Sequence, residues 1–256
     1  RQLRAALDVL ERRVQRMIAD RRAAATPPHD LLTQLLQAVD ESGERMSDRQ
    51  VRDEILTLFI AGHETTASGL AWSLYLLAKH PEAYRRARDE ADALRGRRVS
   101  FDDVKALPYC LQVFKEALRI YPPIYLFGRQ ALDPVSVAGY ELPRGTIVLV
   151  SPYVVHHRAD LWPEPERFDP QRFTPEAEQA RPREAYLPFS GGPRTCIGNH
   201  FALLEAPIVL ATLLRHADYA LIREVAPQPS ATLRPDGMPM RVTLRDFQAL
   251  PAARVG

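Results

Sequence analysis

Among 256 residues only two are cysteine, Cys110 and Cys196, and only Lys79, Lys105 and Lys115 of the 34 basic residues are lysine. Two cysteines are too few for the disulfide framework of a secreted scaffold of this length, so Cys110 reads as a small buried apolar residue and Cys196 needs another explanation. No apolar run is long enough to span a bilayer. A zinc site using Cys196 and His200 lacks two further ligands, because no paired cysteine–histidine spacing supplies them. Flavin and nicotinamide fingerprints, internal repeats and low-complexity tracts are all missing. Basic and aromatic residues do not interleave, and arginines are dispersed among acids to a net charge of +2, which argues against nucleic acid. With 46% hydrophobic and 26% charged residues, the chain has the composition of a soluble cytoplasmic protein.

Residues from Arg1 to about Tyr121 read as helical, with a break at Thr26-Pro27-Pro28 and a restart after Lys79-His80-Pro81. Ser47 and Gln50 form a capping box that opens a long, mostly apolar helix over about 47–79, and Arg52, Asp53, Glu54, His63 and Glu64 interrupt it too often for a membrane span. Its middle holds Ala61-Gly62-His63-Glu64-Thr65-Thr66. Gly62 costs about 1 kcal/mol against alanine in a helix and adjacent β-branched threonines add strain, so helix propensity did not select them. A shorter helix over about 108–121 begins near Pro108 and carries Glu116 and Arg119 on one face. Sheet signals gather over about 132–155, in Val135-Ser136-Val137 and Thr146 to Val150, with turns at Gly139 and Pro143-Arg144-Gly145; Met240 to Leu244 resembles a terminal strand. From Asp160 to Pro188, proline and charge predict a long irregular loop. Together these describe a mainly α body with small β-sheets, an α+β class.

The most specific segment is Phe189-Ser190-Gly191-Gly192-Pro193-Arg194-Thr195-Cys196-Ile197-Gly198, followed by an apolar run from Phe201 to Leu214 that predicts a helix to about residue 215. A cysteine just ahead of a helix meets unpaired N–H groups and the positive end of the macrodipole, which favour a thiolate, a soft ligand suited to iron. Gly191, Gly192 and Gly198 let backbone pass close to a flat cofactor, Phe189 packs beside the sulfur, and Arg194 suits a carboxylate. Each element has an ordinary alternative. The cysteine loop can be a surface turn, Thr65 can bond back to a helix carbonyl with Glu64 on a nearby arginine, and Glu116–Arg119 can be a solvated ion pair.

Taken together and in this order, the segments resemble the cytochrome P450 family. The ten residues ending at Gly198 match its haem-binding signature; Ala61, Gly62, Glu64 and Thr65 match its oxygen-activating helix; Glu116 and Arg119, followed by Ile120-Tyr121-Pro122-Pro123, match its glutamate–arginine helix. The resemblance implies a haem-thiolate monooxygenase of a soluble bacterial type. Cys196 ligates the iron of haem b (iron protoporphyrin IX), while Glu64 and Thr65 relay protons to oxygen. Ala61, Gly62, Phe189, Gly192, Arg194 and Gly198 border the haem, and Arg129 and His156 reach its propionates. Arg167, in Pro165-Glu166-Arg167-Phe168, joins Glu116 and Arg119 in a buried network behind the cysteine loop. Ile124, Tyr125, Leu126 and Phe127, with Ala231 and Thr232, line a cavity for an apolar small molecule. Electrons come from a separate ferredoxin, flavodoxin or reductase, and O2 is the co-substrate. Alternatives are a peroxide-driven peroxygenase, whose family members replace the acid–threonine pair, and a non-catalytic or haem-free portion of such an enzyme. The absence of an initiating methionine and the early position of the oxygen helix imply the C-terminal portion of a single P450 domain, residues 1–256, with the N-terminal part and any targeting signal elsewhere.

Overall fold

The computed structural model describes residues 2–94 and 98–245; Arg1, where the helical reading begins, lies outside them. The chain divides after Glu64 into two compact units.

The first unit holds helices α1 (Gln2–Ala23) and α2 (Leu31–Gln37) and the start of α3 (Asp48–Lys79). Val14, Ile18, Leu32, Leu36 and Val51 form its core, the i and i+4 spacing of Val14 and Ile18 presenting one apolar stripe. Ser47 and Gln50 cap α3 reciprocally, with Ser47 N donating to Gln50 Oε1 at 2.8 Å and Gln50 N to Ser47 Oγ at 3.3 Å.

In the second unit the rest of α3 packs with α4 (Pro81–Asp92), α5 (Pro108–Ile120) and α8 (Asn199–His216) around Trp72, Leu77, Val113, Ala117, Leu210 and Leu214. Proline starts both α4 and α5, where its missing N–H is no loss. Pro207, in contrast, stands inside α8.

Four two-stranded antiparallel sheets lie among the described residues. Strand β1 (Phe127–Gln130) pairs with β4 (Ile147–Val150), and β2 (Val135–Val137) with β3 (Tyr140–Leu142). Further on, β5 (Ala217–Leu221) pairs with β8 (Met240–Leu244), and β6 (Pro227–Pro229) with β7 (Leu233–Pro235). The β2–β3 turn places Ala138 and Gly139 at φ of 51° and 84°, both left-handed, as a two-residue hairpin of this hand requires.

The stretch from Asp160 to Pro188 is more ordered than its composition predicts. Short helix α6 (Pro152–His156) precedes it, a 3-10 turn at Pro170–Phe173 and helix α7 (Pro175–Ala180) lie within it, and Trp162, Phe173 and Ala185 form a small core of their own. Among the described residues no helix is long and apolar enough to cross a membrane.

Candidate functional site

The cysteine loop is shaped mainly by its backbone. Cys196 N donates to Phe189 O at 2.9 Å, folding the loop back so that cysteine and aromatic stand together. Within it, Gly192 O accepts from Thr195 N at 3.0 Å and Thr195 Oγ1 at 2.8 Å, while Ser190 N donates to Leu187 O at 3.2 Å. Gly192 has φ of 68°, which explains that glycine; Ser190 reaches φ of 61° without being one, at a cost of about 1–2 kcal/mol that the surrounding bonds must offset. A Cβ on Gly198 would sit 3.9 Å from Cys196 Sγ, an ordinary contact, so clearance for the sulfur is not why Gly198 is there. Every residue from Gly191 to Ile197, Cys196 included, is exposed.

Behind the loop lies a fully buried pair on α5. Arg119 Nε and Nη2 donate to the two oxygens of Glu116 at 2.7 and 2.8 Å, a bidentate fork. Two of its three other hydrogens go to His156 O at 3.0 Å and Arg167 O at 3.2 Å, while Glu116 also accepts from Asp169 N at 3.0 Å. Burial pushes the Glu116 carboxyl up, and the donors beside it, Arg119 first and then Asp169 N, oppose that rise.

Two expectations are corrected here. Arg167 enters the network through its carbonyl; its guanidinium is 61% exposed and pairs with Glu164 at 2.9 Å. The second arginine beside Glu116 is Arg172, 13% exposed, with Nε 3.6 Å from Glu116 Oε1. It follows a second proline-bearing run, Pro170-Gln171-Arg172-Phe173, which is the signal that would have found it. His156 is fully buried rather than turned towards a propionate. Leu187 N donates to its Nε2 at 2.8 Å, so the other nitrogen carries the proton and Nδ1 donates to Arg119 O at 3.1 Å. Burial lowers its pKa to about 3, in keeping with a permanently neutral ring. His156 therefore ties Arg119 to Leu187, and Tyr186 OH, donating to Lys115 O at 2.8 Å, adds a second tie at the root of the loop.

Arg129 on β1 reaches the loop itself, with Nη2 donating to Ser190 Oγ at 3.0 Å and its guanidinium lying over Phe127 at 4.8 Å. Arg194 is exposed. Of the expected cavity residues, Ile124, Leu126 and Ala231 are exposed and Tyr125 and Phe127 half-buried, whereas Thr232 is buried, so Ala231 is the accessible member of its pair. Ala61 and Gly62 are exposed on α3, and Glu64 and Thr65 are half-buried. A Cβ on Gly62 would meet nothing within 4 Å, leaving open space beside the helix. The tight glycine is Gly69, which sequence inspection passes over: a Cβ there would stand 2.8 Å from Phe114 Cε2 and 3.0 Å from Leu118 Cδ2.

Among the described residues no three His, Cys, Asp or Glu side chains come together to hold a bare ion. Cys196 thus offers a single sulfur ligand, with exposed apolar Ile197 and Phe201 near it in sequence. Such a donor suits a metal that brings its remaining ligands with it.

The cytochrome P450 family profile matches residues 1–241. Taurochenodeoxycholic 6 alpha-hydroxylase of Sus scrofa is 44% identical over 205 residues, covering 78% of this chain and 39% of that protein. Cyclooctatin synthase of Streptomyces melanosporofaciens is 38% identical over 252 residues, 97% of this chain and 53% of that one. The crystal structure of the cytochrome P450DA heme domain superposes with a TM-score of 0.89 at 34% identity, covering 96% of this chain and 55% of that one. The chain spans from 35% to 53% of the length of these curated relatives and of rat cytochrome P450 4V2.

Proposed function

We propose, because this chain belongs to the cytochrome P450 family, that it carries the haem-ligating and proton-handling residues of a monooxygenase acting on an apolar organic substrate. The observation that carries this reading is Cys196, an exposed thiol whose loop is pinned by the Phe189 carbonyl and braced from behind through His156 and Leu187. Its chemistry fits haem b: one sulfur for the iron, exposed guanidiniums at Arg194 and Arg129 for the propionates, and a half-buried Phe189 bonded to Cys196 through the backbone. When bound, the haem supplies the iron at which dioxygen is reduced and cleaved.

The chain's own residues do the rest. Cys196 would hold the iron through its thiolate sulfur. The Glu64 carboxylate takes up protons and the Thr65 hydroxyl passes them on, meeting the demand for protons when one oxygen atom enters the substrate and the other leaves as water. Gly62, with open space beside it, leaves room along α3 for that traffic. Electrons come from a separate ferredoxin, flavodoxin or reductase, in the cytoplasm, where a lone thiol stays reduced. Exposed Ile124, Leu126 and Ala231 favour an apolar substrate. The name of the pig relative, a hydroxylase, supports oxygen insertion.

The test is the absorption spectrum of the chain reconstituted with haem, reduced and exposed to carbon monoxide, beside Cys196→Ser. A strongly red-shifted Soret band that disappears in the variant is expected; a band of the same position in both would remove Cys196 as the ligand.

A further inference from the structure

Two segments far apart in sequence, Pro123–Phe127 and the tip of the β6–β7 hairpin, are joined at two levels. At the lower level Leu233 N donates to Pro123 O at 2.8 Å. Fully buried Trp72 fastens both sides there, donating from Nε1 to Leu233 O at 3.0 Å and stacking on Tyr121 with centroids 3.9 Å apart. At the upper level Tyr125 OH donates to Ser230 O at 3.1 Å, and the bond is exposed. The two partners differ in freedom. Ser151 Oγ donates to Tyr125 O at 2.9 Å, securing the Tyr125 backbone to the start of α6. Ser230 is held otherwise by its own turn, with N and Oγ both donating to Thr232 O at 3.1 Å.

Exposure and bonding assign the roles. Ile124 and Leu126 are 38% and 45% exposed, whereas Tyr125 between them is half-buried and spends its hydroxyl on Ser230. Tyr125 therefore does not belong to the ligand-facing surface with its neighbours. We propose that the Tyr125–Ser230 bond is a latch over a hinge at Pro123 and Leu233, fixing the spacing between the Ile124–Leu126 strip and Ala231 and so setting the size of the apolar ligand admitted. The inference rests on the functional reading above, which makes these strips the cavity wall. Tyr125 acts as a positioning residue, since its hydroxyl is spent on Ser230.

The test is Tyr125→Phe, which removes one oxygen and keeps the ring. Hydrogen exchange followed residue by residue should show the Ser230 amide exchanging about three- to tenfold faster, the range set by loss of one partly exposed hydrogen bond, with the Leu233 amide at the hinge unchanged. In the haem-reconstituted chain, titration with imidazole and with 1-phenylimidazole should show the affinity ratio moving several-fold towards the bulkier probe. An unchanged Ser230 rate overturns the latch, as does equal acceleration at Ser230 and Leu233. Faster Ser230 exchange with an unchanged probe ratio overturns the size-setting role. A chain that takes up no haem defeats the reading of the cysteine site instead, and the exchange data still judge the latch.

Discussion

The Glu116–Arg119 network and the cysteine loop meet through His156 and Leu187, yet they are built on opposite terms. In the network, Glu116, Arg119 and His156 are fully buried and engaged at close range on every side. In the loop the backbone does most of the bonding, and the side chains from Gly191 to Ile197 are left exposed. Order is therefore generated in one place and used in another. The difference teaches that the residues whose loss costs most stability are the brace, whereas the thiol proposed to bear the chemistry stays open to an incoming partner because the fold makes little use of it.

The contrast fails first if the network proves cheap to cut. Glu116→Ala strands the buried Arg119 charge and should cost about 3–5 kcal/mol in urea unfolding. A loss below about 1 kcal/mol would show that the pair is not carrying the brace. Next comes pH. Folded His156 has a pKa of about 3 against 6.5 for the free side chain, so the unfolded chain binds the proton first as pH falls. The stabilising contribution is complete above about pH 6.5 and is lost on going down towards 3, with about 2 kcal/mol already lost at pH 5. In His156→Asn that part of the pH slope should vanish, measured by urea titrations across the range.

The comparison sharpens with the two arginines. Arg172 donates to Pro163 O at 2.7 Å and Glu164 O at 3.0 Å beside Glu116, so Arg172→Ala should cost about 2 kcal/mol, while exposed Arg167→Ala should stay within about 0.5 kcal/mol. Reversed magnitudes would reinstate Arg167 as the network's second cation. The smallest contrast lies along α3. Gly69→Ala forces a Cβ into Phe114 and should lose about 1–3 kcal/mol in thermal melts. Gly62→Ala, facing open space, should gain up to about 1 kcal/mol from helix propensity.

What could be read from sequence follows the same divide. The Glu116–Arg119 pair and the place of Cys196 before a helix were legible because short-range spacing carries them, three residues along a helix or two ahead of a helix cap. Helix positions were legible from caps and prolines, and β2, β4 and β8 from runs of strand-forming residues. Long-range contacts were not. Arg167 and Arg172 stand in near-identical local runs, and only the packing of the loop on α5 decides which guanidinium lies beside Glu116. His156 looks like any loop histidine until Leu187 and Arg119 close on its two nitrogens. Gly69 stands out only once Phe114 and Leu118 approach it from another helix. The Asp160 to Pro188 stretch misleads because its few large apolar residues, Trp162 and Phe173, bury against one another inside a polar surround.

Pro207 gives α8 an uneven mechanical character. Having no N–H, it leaves the Leu203 carbonyl without a rung in the helix ladder. The fully buried residues of α8, Ala206, Leu210, Ala211 and Leu214 among them, begin at this point, while Phe201 and Leu204 ahead of it are exposed. With that rung missing, α8 bends more readily between Leu203 and Pro207 than an unbroken ladder would, so a shift imposed at the Cys196 end meets a softer joint before the buried far half.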